Sequence, residues 1–216
     1  MRAEPATVLE PRRSRIGQLL AGGPAGNERL TGTVAVMLLV LLAAEGVTIL
    51  RIGQLFSPHV FIGLLLIPPL AVKLGSVGYR FTRYYAGNAA YRTKGPPQLG
   101  LRLVAPFVVA TTVVVFASGV ALIVAGPSSR STLFPIHKLS FFAWLVVTAV
   151  HVLAYLPRVP LLARADFVDQ ARVARLAGRS GRWVVIASAL ALGVALAVLM
   201  LPLANGWPLH HHHHGG

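Results

Sequence analysis

Long apolar stretches separated by short polar segments dominate the chain. Five windows each hold about 20 mostly apolar residues, the length that a helix needs to cross the hydrocarbon core of a bilayer. They cover residues 31–50, 58–78, 103–125, 134–156 and 183–203. Because backbone groups within lipid must be hydrogen-bonded inside their own segment, the windows predict helices despite their many valines. We therefore expect an all-α, polytopic membrane protein with five transmembrane helices.

The polar segments between the windows set the predicted organisation. We expect a flexible basic tail over residues 1–30 and a four-helix membrane domain over residues 31–157. A basic loop (158–182), a fifth transmembrane helix (183–203) and a C-terminal tail (204–216) follow. The C-terminal tail carries five consecutive histidines. Such a run is typical of a purification tag or of a low-complexity tail that binds metal loosely.

The distribution of basic residues predicts how the chain is oriented in the membrane. Only 12% of the 216 residues are charged, yet the formal net charge is +14, from 20 Lys and Arg against 6 Asp and Glu. Sixteen of the 20 basic residues lie before the first window, between the second and third, or between the fourth and fifth. The positive-inside rule then places the N-terminus in the cytoplasm and the C-terminus outside. We expect contacts with the lipid bilayer and no nucleic-acid partner.

The lack of cysteine and of a nucleotide-binding motif excludes several kinds of cofactor site. The chain has no cysteine, which excludes disulfides, thiolate metal ligands and covalent haem attachment through C-x-x-C-H. It also has no glycine-rich nucleotide-binding motif. The sequence therefore gives no sign of a binding site for NAD(P)H.

Outside the C-terminal tail there are three histidines, and all lie within or at the ends of the apolar windows. Ionisable side chains are rare in such segments and are functional candidates by default. His137 and His151 are 14 residues apart, which places them on one helix face and about 21 Å apart along its axis. His59 begins the second window as His137 begins the fourth, and both windows run in the same direction. Two imidazoles at one depth on facing helices are what a six-coordinate haem iron needs.

The same 14-residue spacing occurs in the second and fourth windows and extends to the opposite membrane surface. Lys73 follows His59 by 14 residues, as His151 follows His137. The intervening faces suit a flat cofactor, because Gly63 allows close approach and Phe141 and Trp144 could pack on its edges. The first and third windows also share a weak repeat, in which a glycine precedes VTIL and VALI, and this indicates a duplicated helix pair.

Glu45 is the remaining charged residue that we expect to be buried, one turn from the outer end of the first window. Three roles are open to it. It could orient a ligand imidazole through the free ring N–H, carry a proton during quinol chemistry, or pair with Arg51.

The spacing His-x13-His on one transmembrane helix, paired with a histidine on a parallel neighbour, resembles the two-haem b-type cytochromes. Small bacterial cytochrome b-like membrane proteins are the most similar, over residues 31–157. The resemblance implies haem b held by His59 and His137, with His151 as a further ligand by position. It also implies a membrane quinone and a partner oxidoreductase subunit, so that the chain is an electron-transfer subunit rather than a self-contained enzyme.

Position 73 departs from the family pattern, since a lysine stands where a fourth histidine is expected. Lys73 could ligate iron as a neutral amine, pair with a haem propionate or a lipid phosphate, or lie near the interface with no inner haem present. One haem is therefore expected, and a second at the inner level is left open.

Two rival functions use the same residues. A small proton-coupled transporter could use Glu45, Lys73 and His151 as a polar path, with Pro68-Pro69 as a hinge. A haem-free structural or anchoring subunit could use the histidines only to join helices.

Overall fold

A computed structural model describes residues 23–93, 95, 99–125, 127–155 and 179–204. All regular structure in these residues is helical: α1 (Gly23–Leu50), α2 (Ile52–Tyr85), α3 (Ala89–Arg92), α4 (Leu99–Val124), α5 (Pro127–Tyr155) and α6 (Arg179–Ala204). All of them except α3 contain a stretch long and apolar enough to cross a membrane. The predicted all-α, polytopic fold with five transmembrane helices is confirmed. Most of the predicted N-terminal tail and basic loop, and nearly all of the C-terminal tail, lie outside the described residues.

The longest helix is α2, which has 34 residues. Its length of about 51 Å exceeds the thickness of a hydrocarbon core, which is about 30 Å. The apolar window of the sequence ends at residue 78, but α2 continues to Tyr85. It stops before Gly87, whose φ of 84° ends the helix as glycines commonly do. We call the end of the molecule where α1 meets α2 the His59 end, and the opposite end the Lys73 end.

Three prolines lie within α2, and its one non-helical residue is Leu55, three residues before Pro58. A proline ring clashes with the preceding turn, which accounts for a distortion at this place. Pro68 and Pro69 are buried and have helical backbone angles. The helix therefore runs through the Pro68-Pro69 pair without a break.

The five long helices form two units. Helix α2 packs along its length on α1 and on α6, while α4 and α5 pack on each other. We call these the α1–α2–α6 unit and the α4–α5 hairpin. The hairpin meets the other unit sparsely, through contacts of α4 with α2 and α6. Apolar clusters centred on Leu66 and Leu64 join α2 to its two neighbours.

Helices α2 and α6 approach each other closely at Gly193. Pro69 has no N–H to donate to the carbonyl of Leu65, four residues earlier, and Gly193 of α6 lies against that oxygen. A Cβ atom added to Gly193 would stand 2.5 Å from the Leu65 oxygen and 3.0 Å from its Cδ1. Small residues at such crossings let transmembrane backbones approach closely. Gly193 thus holds α6 on α2.

Replacing Gly193 with valine should destabilise the protein by about 1–3 kcal/mol or more, because the backbone of α2 must move away from the added side chain. Gly75→Val is the matched control, since Gly75 lies on α2 with nothing within 4 Å of an added Cβ. Thermal unfolding in detergent, followed by circular dichroism, measures both variants. Equal loss of stability in the two would contradict the close approach.

Candidate cofactor site

The structure brings His59 and His137 together across the gap between the two units. Their ring centroids are 6.4 Å apart and their planes are inclined at 65°. A metal ion held about 2 Å from one nitrogen of each of two opposed imidazoles separates the ring centroids by about 6 Å. The predicted juxtaposition of these two histidines at one depth is therefore present, and its spacing suits a shared metal.

A carboxylate fixes the orientation of the His59 ring. The Nδ1 atom of His59 donates a hydrogen bond of 2.7 Å to Oε1 of Glu45, which is buried. The hydroxyl of Thr48 donates to Oε2 of the same carboxylate at 3.2 Å. Of the three roles open to Glu45, the geometry matches the one in which it orients an imidazole, and Arg51 is not among its partners in the described residues. Metal-ligating histidines almost always donate their other N–H in this way.

A backbone carbonyl and a hydroxyl fix the His137 ring. Its Nδ1 atom lies 3.0 Å from the carbonyl oxygen of Val115 and 3.0 Å from Oγ of Ser118, both on α4. Because the carbonyl can only accept, Nδ1 carries the proton and donates it there. A Cβ atom on Gly119 would stand 3.1 Å from Cε1 of His137. One turn of α4 thus forms a close-fitting cradle for this ring.

The residues that hydrogen-bond to the two Nδ1 atoms, which we call the histidine supports, occupy corresponding positions in α1 and α4. Glu45 precedes Gly46 in α1 and supports His59, and Ser118 precedes Gly119 in α4 and supports His137. The weak sequence repeat after these two glycines therefore marks two helix pairs, each with its own histidine and support. Sequence reasoning missed Thr48 and Ser118. The available signal was a small hydroxyl residue within one turn of each repeat glycine.

These supports leave one nitrogen free on each ring. With Nδ1 protonated and engaged, Nε2 of each neutral imidazole keeps its lone pair. Within the described parts of the chain, neither Nε2 has a hydrogen-bond partner. Both histidines can therefore act as metal ligands without losing an existing contact.

Both histidines line a cavity of about 420 Å³ between the two units. Its walls are mostly apolar and come from α1, α2, α4 and α5, while α6 contributes only Ala204. The volume lies within the range of about 300–1,000 Å³ that is typical of ligand and cofactor pockets. Gly63, Phe141 and Trp144 also line it, as the sequence predicts for the faces beside a flat cofactor. The cavity stays open because α2 and α5 do not pack closely on each other.

Lys73 and His151 lie apart from this cavity. The Nζ atom of Lys73 donates a hydrogen bond of 2.8 Å to the carbonyl oxygen of Thr31 on α1. The Thr31 hydroxyl is in turn hydrogen-bonded to that of Ser76, and Asn27 donates to the Ser76 carbonyl at 3.1 Å. Lys73 thus belongs to a polar cluster that joins α1 to α2. A second haem at this level stays a prediction.

The donor set constrains what could bind between the histidines. No three His, Cys, Asp or Glu side chains in the described residues converge to hold a metal ion. The two imidazoles supply two ligands, so a metal between them would take its other ligands from a cofactor. A porphyrin, which supplies four nitrogens in a plane, fits this requirement.

Comparison with known proteins adds no identification. No family model, no curated protein and no solved structure matches the chain. The resemblance to b-type cytochromes therefore stays a prediction from the spacing of the histidines.

Proposed function

We propose that the protein is a membrane b-type cytochrome, in which His59 and His137 hold haem b and electrons pass between a quinone pool and a partner oxidoreductase. The observation that carries the proposal is the opposed pair of imidazoles at 6.4 Å, each anchored through Nδ1. When bound, haem b supplies reversible one-electron chemistry. The side chains of this chain ligate it, orient the two imidazoles and keep water out.

The direction of the histidine hydrogen bonds favours ligation over helix joining. His59 bonds to α1 and His137 to α4, and each of these helices already packs on the helix that carries the histidine. Neither bond crosses the gap between the two units. An anchoring subunit that used histidines to join helices would be expected to place them across that gap.

The positions of the other ionisable groups favour electron transfer over transport. A transporter would use Glu45, Lys73 and His151 along one path. Glu45 instead bonds to His59, and Lys73 bonds to Thr31. Lys73 follows His59 by 14 positions, which separates these two levels by about 21 Å along α2. With the predicted orientation, the His59 end lies on the outer side of a bacterial cytoplasmic membrane.

The test is optical. Protein purified in detergent from haem-replete cells should show the reduced-minus-oxidised difference bands of a low-spin b haem. A soluble quinol such as duroquinol should produce the reduced spectrum without any nucleotide cofactor. Bands that appear only with dithionite, and never with a quinol, would contradict the quinone partner while leaving the haem in place.

Glu45→Gln should lower haem affinity by about 10- to 100-fold, the usual cost of losing a carboxylate that supports a ligand histidine. The midpoint potential should also rise, because a negative charge that favours the oxidised metal is removed. Titration of haem into apo-protein and a redox titration measure the two effects. Arg51→Gln is the control. An equal loss of haem affinity in both variants would indicate that Glu45 acts through an ion pair with Arg51 and not through His59.

A further inference from the structure

A cluster of arginine and tyrosine side chains lies at the Lys73 end, where α2 leaves its apolar window. The window ends at residue 78, and the helix continues beyond it. Tyr79, Arg80 and Arg83 lie on this extension, with Tyr79 and Arg83 one turn apart. Helix α3 packs on α2 and adds Tyr91. We call these four residues the arginine–tyrosine cluster.

The Tyr79 ring joins the members of the cluster. It meets the ring of Tyr91 edge-on, with the centroids 6.1 Å apart and the planes inclined at 85°. The guanidinium carbon of Arg83 lies 5.9 Å from the centroid of the Tyr79 ring, a distance at which a cation is attracted to an aromatic face. Tyr91 is buried, whereas Tyr79 and Arg83 are exposed. Tyr91 thus forms the floor of the cluster, and the other two form its accessible rim.

Two positive charges lie close to the Tyr91 hydroxyl. Burial raises the pKa of Tyr91 above its ordinary value, and the neighbouring Tyr79 hydroxyl raises it further. The charges of Arg83 and Arg80 act on the same pKa in the opposite direction, so both guanidinium groups are near this hydroxyl. No carboxylate of the described residues is among the groups that act on Tyr91. Because a guanidinium group can only donate hydrogen bonds, the cluster favours an anionic ligand.

The position of the cluster favours a lipid phosphate over a free anion or an acidic protein. Tyr79 comes directly after the apolar window, at the level where the hydrocarbon core gives way to phospholipid head groups. The exposed ring of Phe81 lies on the same extension, and aromatic side chains are enriched at this level. A guanidinium group can pair with two phosphate oxygens at once. A lipid phosphate therefore reaches the cluster without leaving the membrane.

We propose that the arginine–tyrosine cluster binds the phosphate group of an anionic phospholipid. Arg80 and Arg83 contact the phosphate oxygens, and the hydroxyl of Tyr79 donates a further hydrogen bond to them. The site goes beyond the function proposed above and does not depend on haem. Tyr79 follows His59 by 20 positions, which places the cluster about 30 Å along α2 from the histidine.

The test is native mass spectrometry of the full chain, freed of lipid in detergent and titrated with dioleoylphosphatidylglycerol. Wild type should bind this lipid saturably, and about tenfold more tightly than dioleoylphosphatidylcholine. The double variant Arg80→Gln, Arg83→Gln should weaken the binding about 10- to 30-fold, since two charged contacts are lost. Tyr79→Phe keeps the ring and removes the hydroxyl, and should weaken it about three- to tenfold.

The matched control removes two other arginines from the same end of the molecule. The double variant Arg92→Gln, Arg102→Gln lowers the net charge by the same amount. Arg102 donates to the Tyr85 hydroxyl, and the guanidinium group of Arg92 lies near the turn at Gly87. This variant should weaken phosphatidylglycerol binding by less than about threefold, because salt screens the general attraction between surface charges.

Several outcomes would overturn the site. Equal affinity for the two phospholipids, or an equal loss in the two double variants, would mean that general positive charge alone attracts lipid. Displacement of phosphatidylglycerol by millimolar inorganic phosphate would assign the cluster to a free anion, and no saturable lipid binding would favour an acidic protein. If the arginine variant does not fold, Tyr79→Phe alone decides.

Haem titration of the same variants separates this inference from the proposed haem. Haem affinity should be unchanged in all of them, because the cluster lies far from His59. A haem-containing protein without saturable phosphatidylglycerol binding overturns the lipid site and leaves the haem. A colourless protein whose phosphatidylglycerol binding the cluster variants weaken supports the lipid site and removes the haem.

Discussion

If His59 and His137 hold haem b as proposed, His59→Ala and His137→Ala should each abolish the haem absorption bands of the purified protein. In the proposed site each imidazole is the one histidine ligand on its side of the cavity. His59→Ala also leaves the buried carboxylate of Glu45 without its imidazole partner, so the site loses an anchor as well as a ligand. Spectra of both variants at matched protein concentration measure the effect, with gel filtration to confirm folding.

Two further measurements separate ligation from a general loss of structure. Added imidazole should restore bands in His137→Ala, because a small ligand can occupy the space beside Gly119, whereas a misfolded variant would not recover. His151→Ala should keep the full intensity if one haem is bound and about half if an inner haem is present. Unchanged bands in either His59→Ala or His137→Ala would overturn the proposed ligation.

Removing haem should lower the unfolding midpoint by about 8–16 °C. The α4–α5 hairpin meets the α1–α2–α6 unit sparsely, and the cavity lies between them. A ligand bound to both sides of this gap contributes about 4 kcal/mol at a concentration one thousand times its dissociation constant. For a chain of about 200 residues, each kcal/mol shifts the midpoint by about 2–4 °C.

The comparison uses apo-protein with and without added haem, in the same detergent. A double variant, His59→Ala with His137→Ala, is the control, and its midpoint should not respond to haem. Hydrogen exchange should show the larger protection on haem binding in α4 and α5. A midpoint that haem leaves unchanged in the wild type would contradict the binding of haem to the folded protein.

The sequence predicts the level of the histidines because local features set it. His59 and His137 each follow a proline near the start of an apolar window, and the window start fixes depth in the membrane. Hydropathy does not mark where a helix ends, however. Helix α2 runs on to Tyr85 because a helix continues in water until a residue such as Gly87 stops it.

Glu45 is among the imidazole partners that the sequence suggests, but the other partners of the histidines are not, because they depend on how each helix is rotated. Helices α1 and α4 are apolar on all sides, so no stripe indicates which face of either meets its neighbour. The position of Ser118 beside the repeat glycine is thus a weak signal, and the structure is needed to show that this hydroxyl contacts His137. The partner of Lys73 is a backbone carbonyl, that of Thr31, which no side-chain pattern reveals.

The haem-to-protein ratio shows whether His59 and His137 hold one haem b. The pyridine haemochrome assay, applied to monodisperse protein from haem-replete cells, gives this ratio. The opposed imidazoles predict about one haem b per chain, and none in the His59→Ala, His137→Ala double variant. A folded but colourless wild-type protein, with no haem taken up on titration, would contradict the account.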